Sequence, residues 1–158
     1  MNRKLAALAV TAAVAATSAW SWTKQSSTMN STFYQSASGN IRISIGCYPR
    51  ANSVDFTLVS PTPFLDGPTQ QRRIDFVMER TGDNARRYST MGDYLFGPEE
   101  SWIGGKLPFA GDFEPFASAS QMTIRDLSGA TPKTVASFDM TGSAAAIAAV
   151  LKTCPQRP

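Results

Sequence analysis

The chain has 158 residues, 42% hydrophobic and 17% charged, with a formal net charge of +3. That length holds one domain and excludes a multidomain machine. No histidine is present, which excludes Ser-His-Asp and Cys-His catalysis, histidine-ligated metals and a histidine pH switch.

Residues 1–19 carry Arg3 and Lys4, then an apolar run from Leu5 to Ala16, then Thr17-Ser18-Ala19. A charged start, a short apolar run and small residues at the −3 and −1 places predict a signal peptide. The run is about 12 residues, too short for a bilayer that needs about 20. No cysteine follows it, so no lipid anchor is expected. Removing Arg3 and Lys4 with the leader takes Lys and Arg from 15 to 13 against 12 acids, a net charge of +1. The sequence pI of 9.1 is therefore no argument for nucleic acid, and export argues against it too.

Residues 20–40 open on Trp20-Ser21-Trp22 and continue rich in Ser, Thr, Asn and Gln. They read as a polar N-terminal segment, either a first strand or a tail, whose aromatic start packs on the domain. From 41 to 158 a single β-rich domain is predicted. Residues 41–48 alternate, with Ile41, Ile43, Ile45 and Cys47 on one face. Residues 53–59 alternate again, with Val54, Phe56 and Leu58 inward, so the two make a hairpin. Pro61, Pro63, Gly67 and Pro68 mark a loop. Residues 72–80 form a third strand with Ile74, Phe76 and Met78 inward. Residues 85–96 are mixed and predict at most a short strand ending near Tyr94-Leu95-Phe96. Ser101-Trp102-Ile103 is a strand end before Gly104-Gly105-Lys106, which reads as a turn. A loop and a short helix at about 114–119 follow. Strands at 120–126 and 133–140 come next. The chain closes on a helix over 142–153, capped by Thr141 or Ser143, with Lys152 at its negative end. The fold class is mainly β (α+β), an antiparallel β-sandwich or barrel-like domain with a short helix and a C-terminal helix.

Chemistry-bearing residues are sparse. Glu99-Glu100 and Asp112/Glu114 sit in Pro/Gly-rich loops, where solvated acids are ordinary, and neighbouring positions do not place two carboxylates across a cleft. Calcium at Asp112 and Glu114 lacks a dense oxygen-ligand repeat. Ser143 has no histidine base, and Lys152 lies more than two helical turns away. No catalytic residue, metal site or cofactor is expected, and the protein is read as not an enzyme. Cys47 and Cys154 are the two cysteines. In an oxidising compartment such a pair usually forms a disulfide; two buried thiols or a metal pair are the alternatives, the latter poor without histidine. Arg72-Arg73 and Arg86-Arg87 could meet across a hairpin near Tyr88, Tyr94 and Trp102. Arginine with aromatics is the composition of a protein-binding hot spot, and also of a solvated sheet face. Trp102 is the expected anchor, with Arg73, Arg87 and Tyr94 around it.

Several pieces together look familiar. They are the strand Ile43-x-Ile45-x-Cys47, its partner Val54-x-Phe56-x-Leu58 and the Arg73-x-Asp75 strand. Trp102, Phe113/Phe116 and Met122-x-Ile124-Arg125 follow. The last is the closing Phe138-x-Met140-x-Gly142-Ser143-x-x-Ala146-Ile147-x-x-x-Leu151-x-x-Cys154. Over roughly residues 40–154 the chain resembles the small periplasmic domain of the type VI secretion accessory family VasI/TagO. It is also similar to the exported invasion-associated locus B family. The resemblance implies a β-sandwich-like envelope domain without catalytic residues, with Cys47 and Cys154 paired. The expected function is an exported, non-catalytic periplasmic domain that binds another envelope protein, without stable membrane insertion. The alternative is an inhibitor or immunity-like protein that plugs a periplasmic hydrolase with the 61–68 or 97–115 loop.

Overall fold

A computed structural model describes residues 21–25, 33–48, 53–63, 65, 70–109 and 111–154. The leader-like segment 1–19 and Trp20 lie outside the described residues. Nine strands make one antiparallel sheet: β1 (Thr23–Gln25), β2 (Phe33–Ser38), β3 (Ile41–Tyr48), β4 (Ser53–Ser60), β5 (Gln70–Glu79), β6 (Arg86–Phe96), β7 (Ser101–Lys106), β8 (Gln121–Asp126) and β9 (Lys133–Asp139). Two helices accompany them, α1 (Glu114–Ser118) and α2 (Ser143–Thr153). The spatial order is β1-β2-β3-β4-β7-β6-β5-β8-β9, and the sheet curls into a half-barrel. The fold is thus mainly antiparallel β, as the alternation predicts, in one curled sheet.

Alternation decides which side chains fill the concave face. Ile43, Ile45 and Cys47 of β3, Val54, Phe56 and Leu58 of β4, and Ile74, Phe76 and Met78 of β5 are all buried there. Met122 and Ile124 of β8 and Ala136 and Phe138 of β9 complete the face. Two connections close the ends. After β4 the chain runs on through the described residues 61–63 and 65. There the Ser101 hydroxyl donates to the Thr62 carbonyl at 2.8 Å, and the Tyr94 hydroxyl to that of Leu65 at 3.0 Å. The 107–120 connection crosses the other end with Leu107, Phe109, Phe113 and Phe116, all buried. Phe109 meets Tyr88, Phe113 and Phe116 edge-on at 5.0–6.0 Å between ring centres, and Phe56 meets Phe76 at 4.9 Å. Such edge-to-face pairs add to plain area burial.

The N-terminal segment belongs to this sheet. Trp22 is buried against Phe116, 5.2 Å between ring centres. The Ser21 backbone N–H donates to the Thr141 carbonyl at 3.1 Å, and its hydroxyl lies 2.7 Å from the Asp139 carbonyl. The first described residue thus reaches the end of β9. β2 pairs with β3 through a two-residue turn at Gly39-Asn40, where Gly39 takes a left-handed φ of 58°. That φ carries no steric cost for glycine.

Three expectations are corrected. Residues 86–96 form an eleven-residue strand. Gly104-Gly105-Lys106 lies inside β7, between β4 and β6, so it is no turn. A Cβ on Gly105 would meet the Met91 carbonyl oxygen at 2.7 Å and the Phe56 ring at 3.3 Å. Glycine is there for close approach. α2 is not capped by Thr141 or Ser143: Gly142, at φ 89°, occupies the cap position. The buried Ser143 hydroxyl instead donates to the Phe116 carbonyl at 3.0 Å, tying α2 to α1.

Cys47 of β3 and Cys154 after α2 form a buried disulfide with 5.3 Å between Cα atoms and a sequence separation of 107. A Cys47→Ala/Cys154→Ala double variant is expected to lose about 2–5 kcal/mol, read as a lowered urea midpoint. At the turn into α2, the Asp139 carboxyl is held below the ordinary aspartate value by bonds from the Thr141 hydroxyl and then the Thr141 backbone N–H. The folded protein takes up this proton less readily than the unfolded chain. The contribution is therefore present above the unfolded value near about pH 4 and fades as pH falls through and below it. Asp139→Asn is expected to flatten the acid limb of a stability-versus-pH curve and leave its neutral slope unchanged.

Candidate functional site

The convex face of the sheet is read from the other half of each alternation. β4 turns Asp55, Thr57 and Val59 outward, β7 Trp102, Gly104 and Lys106, and β6 Met91, Asp93 and Leu95. Register places them in rows. Val59, Trp102 and Leu95 are cross-strand neighbours, Thr57, Gly104 and Asp93 form the next row, and Asp55 stands opposite Lys106. Directly opposed side chains touch across strands, so Trp102 and Leu95 make one apolar ridge. Trp102 is 36% exposed, Leu95 40% and Met91, further along β6, 52%. Phe96 is exposed at the strand's end.

Gly104 leaves the middle row without a side chain. The result is a cleft of about 380 Å³, walled by Trp102 and Leu95 on one side and reaching Thr57, Asp93 and Asp55 on the other. That volume is within the range of small-ligand and side-chain pockets. The Asp55 Oδ1 atom is buried and has no hydrogen-bond partner among the described residues. A buried carboxylate oxygen in that condition is costly.

The sequence-derived site residues do not converge. Trp102 is in the cleft wall. Tyr94 is a correction: it is 1% exposed on the concave face, with its hydroxyl on Leu65 and its ring under the Arg72 guanidinium, 5.2 Å from the ring centre. It is a core residue. Arg72 is buried as well, 2.7 Å from Asp126, so it is no part of a surface cluster. Arg73 faces out opposite Met91, and Arg87 opposite Val77. Leu95, the neighbour of Trp102, is eight residues from Arg87 along β6, a span of about 27 Å. Arg72-Arg73 and Arg86-Arg87 therefore lie at opposite ends of the hairpin, and one hot spot cannot hold Trp102, Arg73 and Arg87 together.

Asp55, Asp93, Leu95, Met91 and Gly104 were missed. Asp93, Leu95 and Met91 lie on β6, whose outward positions (Arg87, Ser89, Met91, Asp93, Leu95) and inward positions (Tyr88, Thr90, Gly92, Tyr94) each mix polar with apolar residues. With no clean hydrophobic alternation the pattern hides the strand. The carboxylates singled out in sequence have local work. The Asp112 carboxylate accepts the turn bond from the Glu114 backbone N–H at 3.1 Å, while at Glu100 it is the backbone carbonyl that accepts from the Gly97 N–H. Glu114 pairs with Arg80, whose hydrogen bond holds its carboxyl below the usual glutamate value. The 97–115 stretch is not a free plug, because β7 runs through it and Leu107, Phe109 and Phe113 are buried. Among the described residues, no three His, Cys, Asp or Glu side chains gather where a metal could bind, and no helix is long and apolar enough to cross a membrane.

No protein-family model, curated protein or solved structure matches this chain.

The glycine pair is separable by substitution. A Cβ on Gly104 would find the Phe56 carbonyl oxygen at 3.8 Å and the Thr57 hydroxyl at 3.9 Å, ordinary contacts on the open side. Gly105→Ala is expected to destabilise by about 1–3 kcal/mol, the usual cost of overpacking. Gly104→Ala is expected to be neutral or stabilising, since glycine in a strand interior costs about 0.5–1 kcal/mol relative to alanine. Thermal unfolding of the two variants side by side reads this contrast.

Proposed function

We propose that this chain is an exported, non-catalytic domain that binds another protein of the cell envelope through the convex face of β4, β7 and β6. The observation that carries the proposal is the Trp102–Leu95 ridge. It stands exposed in the middle of a sheet face, beside a cleft, with Met91 further along the same strand. Apolar side chains on a convex sheet face cost solubility, and a cluster of them with a tryptophan is the usual form of a partner surface. The export part of the proposal rests on the leader pattern of residues 1–19 together with the buried Cys47–Cys154 disulfide, a bond kept mainly in oxidising compartments. The resemblance to the VasI/TagO family adds a finer reading, an accessory of a secretion assembly.

The test is affinity capture from an envelope extract, with wild-type protein and Trp102→Ala as parallel baits. The substitution is expected to leave the unfolding midpoint nearly unchanged. It is expected to weaken a stoichiometric partner by roughly thirtyfold or more, the effect of losing a hot-spot tryptophan. A partner held equally by both baits, or no partner under crosslinking, overturns the proposal.

A further inference from the structure

Resting on that reading, we infer that the Gly104 cleft is the seat of a single basic side chain, a lysine or arginine, projected by the partner protein. Four features converge. The first is charge. The cleft is reached by two carboxylates, Asp55 and Asp93, while Lys106 is the one cation in the rows that form it. Lys106 stands opposite Asp55 and is exposed, yet the Asp55 Oδ1 stays without a hydrogen-bond partner. Among the described residues nothing donates to it and Lys106 makes no ion pair with Asp55, so the acids lining the cleft are not neutralised by a bonded cation. The second is the aromatic wall. Trp102 lines a cleft that also holds acids, and an indole beside carboxylates is a pairing that attracts a cation by the ring quadrupole. The third is the aliphatic edge, Leu95 beside Trp102, on which the methylene stem of a long basic residue can lie while its head reaches the acids. The fourth is the missing Cβ. Gly104 is in the interior of a central strand, where glycine weakens the sheet and often marks close approach by another molecule. Space at this position is open, in contrast to Gly105.

The same observations disfavour other occupants. A calcium ion needs six to eight oxygens, and the described residues offer two carboxylates and a threonine hydroxyl here. A phosphate or an acidic peptide would meet Asp93 and Asp55 head on. A purely apolar side chain would desolvate the carboxylates that line the cleft without pairing them, at the cost of burying charge.

The experiment uses the whole protein labelled at its indole nitrogens, with the Trp102 resonance assigned by its loss in Trp102→Phe. Two peptides are titrated, acetyl-Val-Arg-Val-amide and the same peptide with citrulline, which keeps the shape and removes the charge. The expected result is a saturable shift of the Trp102 resonance by the arginine peptide at millimolar concentration. Citrulline is expected to bind roughly tenfold more weakly, and added salt to weaken the arginine peptide. Gly104→Leu, which fills the cleft, is expected to abolish the shift. Asp93→Lys, an exposed change that leaves the cleft empty, is expected to abolish it too, so the result does not hang on one variant folding. Equal binding of both peptides, retention of the shift in Asp93→Lys, or no shift at all overturns the inference. The two proposals fail separately. If a partner is lost from the Trp102→Ala bait while the arginine peptide leaves Trp102 untouched, the docking face stands and the cation seat falls. If capture does not depend on Trp102, the docking face falls.

Discussion

Nine strands in one sheet present more apolar surface on one side than a single layer can leave in water. Everything else in this fold follows from covering that side without a second sheet. Curling brings β2 towards β9 and halves the problem. The remainder is filled by chain segments that are barely regular: Phe109, Phe113 and Phe116 from the 107–120 connection, Trp22 from the start of the described chain, and Ile147 and Val150 of α2. Aromatic rings suit this task. They reach far from an irregular backbone and pack edge to face at whatever angle the curl leaves.

Because the concave side is spent on stability, the convex side is the one free to vary. The polar content of the two sides shows the division. The concave side holds one buried ion pair, Arg72–Asp126, closed over by Tyr94 and the Leu65 carbonyl. Removing either charge would strand the other, so this pair belongs with the core. The convex side holds the buried Asp75 carboxylate, which accepts from the Ser89 hydroxyl, an Asp55 oxygen without a partner among the described residues, and a glycine where a β-branched residue would serve a central strand better. Local choices that oppose stability are where function is expected to sit.

The elements that were legible in sequence are those whose inward residues are aliphatic or aromatic at a period of two. The strands at 41–48, 53–60, 70–79, 121–126 and 133–139, and both helices, belong here. β2 was hidden because its buried inward position is Ser36, opposite Ile43, and a serine gives no hydrophobic signal. β6 was hidden because both of its faces mix polar and apolar residues, with Thr90 and Gly92 between the inward Tyr88 and Tyr94 and with Met91 and Leu95 among Arg87, Ser89 and Asp93 outside. Tyr94 was taken for a surface aromatic because the strand around it was not recognised, and parity alone reverses that placement. Trp102 was picked from composition and lies on the surface, but its neighbours are fixed by a crossover that no local pattern encodes. β4 and β7 are adjacent although more than forty residues separate their partners. The acids at Asp55 and Asp93 meet only through that crossover.

The disulfide has a consequence in time as well as in energy. A chain made from its N-terminus presents Cys47 early, while Cys154 follows only after the last strand and the last helix. Until then the β3 thiol has no legitimate partner, and β2, β3 and β4 have nothing covering the end where α2 will lie. The bond therefore acts as a completion mark. It closes only on a chain whose last strand and last helix have been made, so a molecule halted part-way is left with a free thiol and is chemically distinct from a finished one.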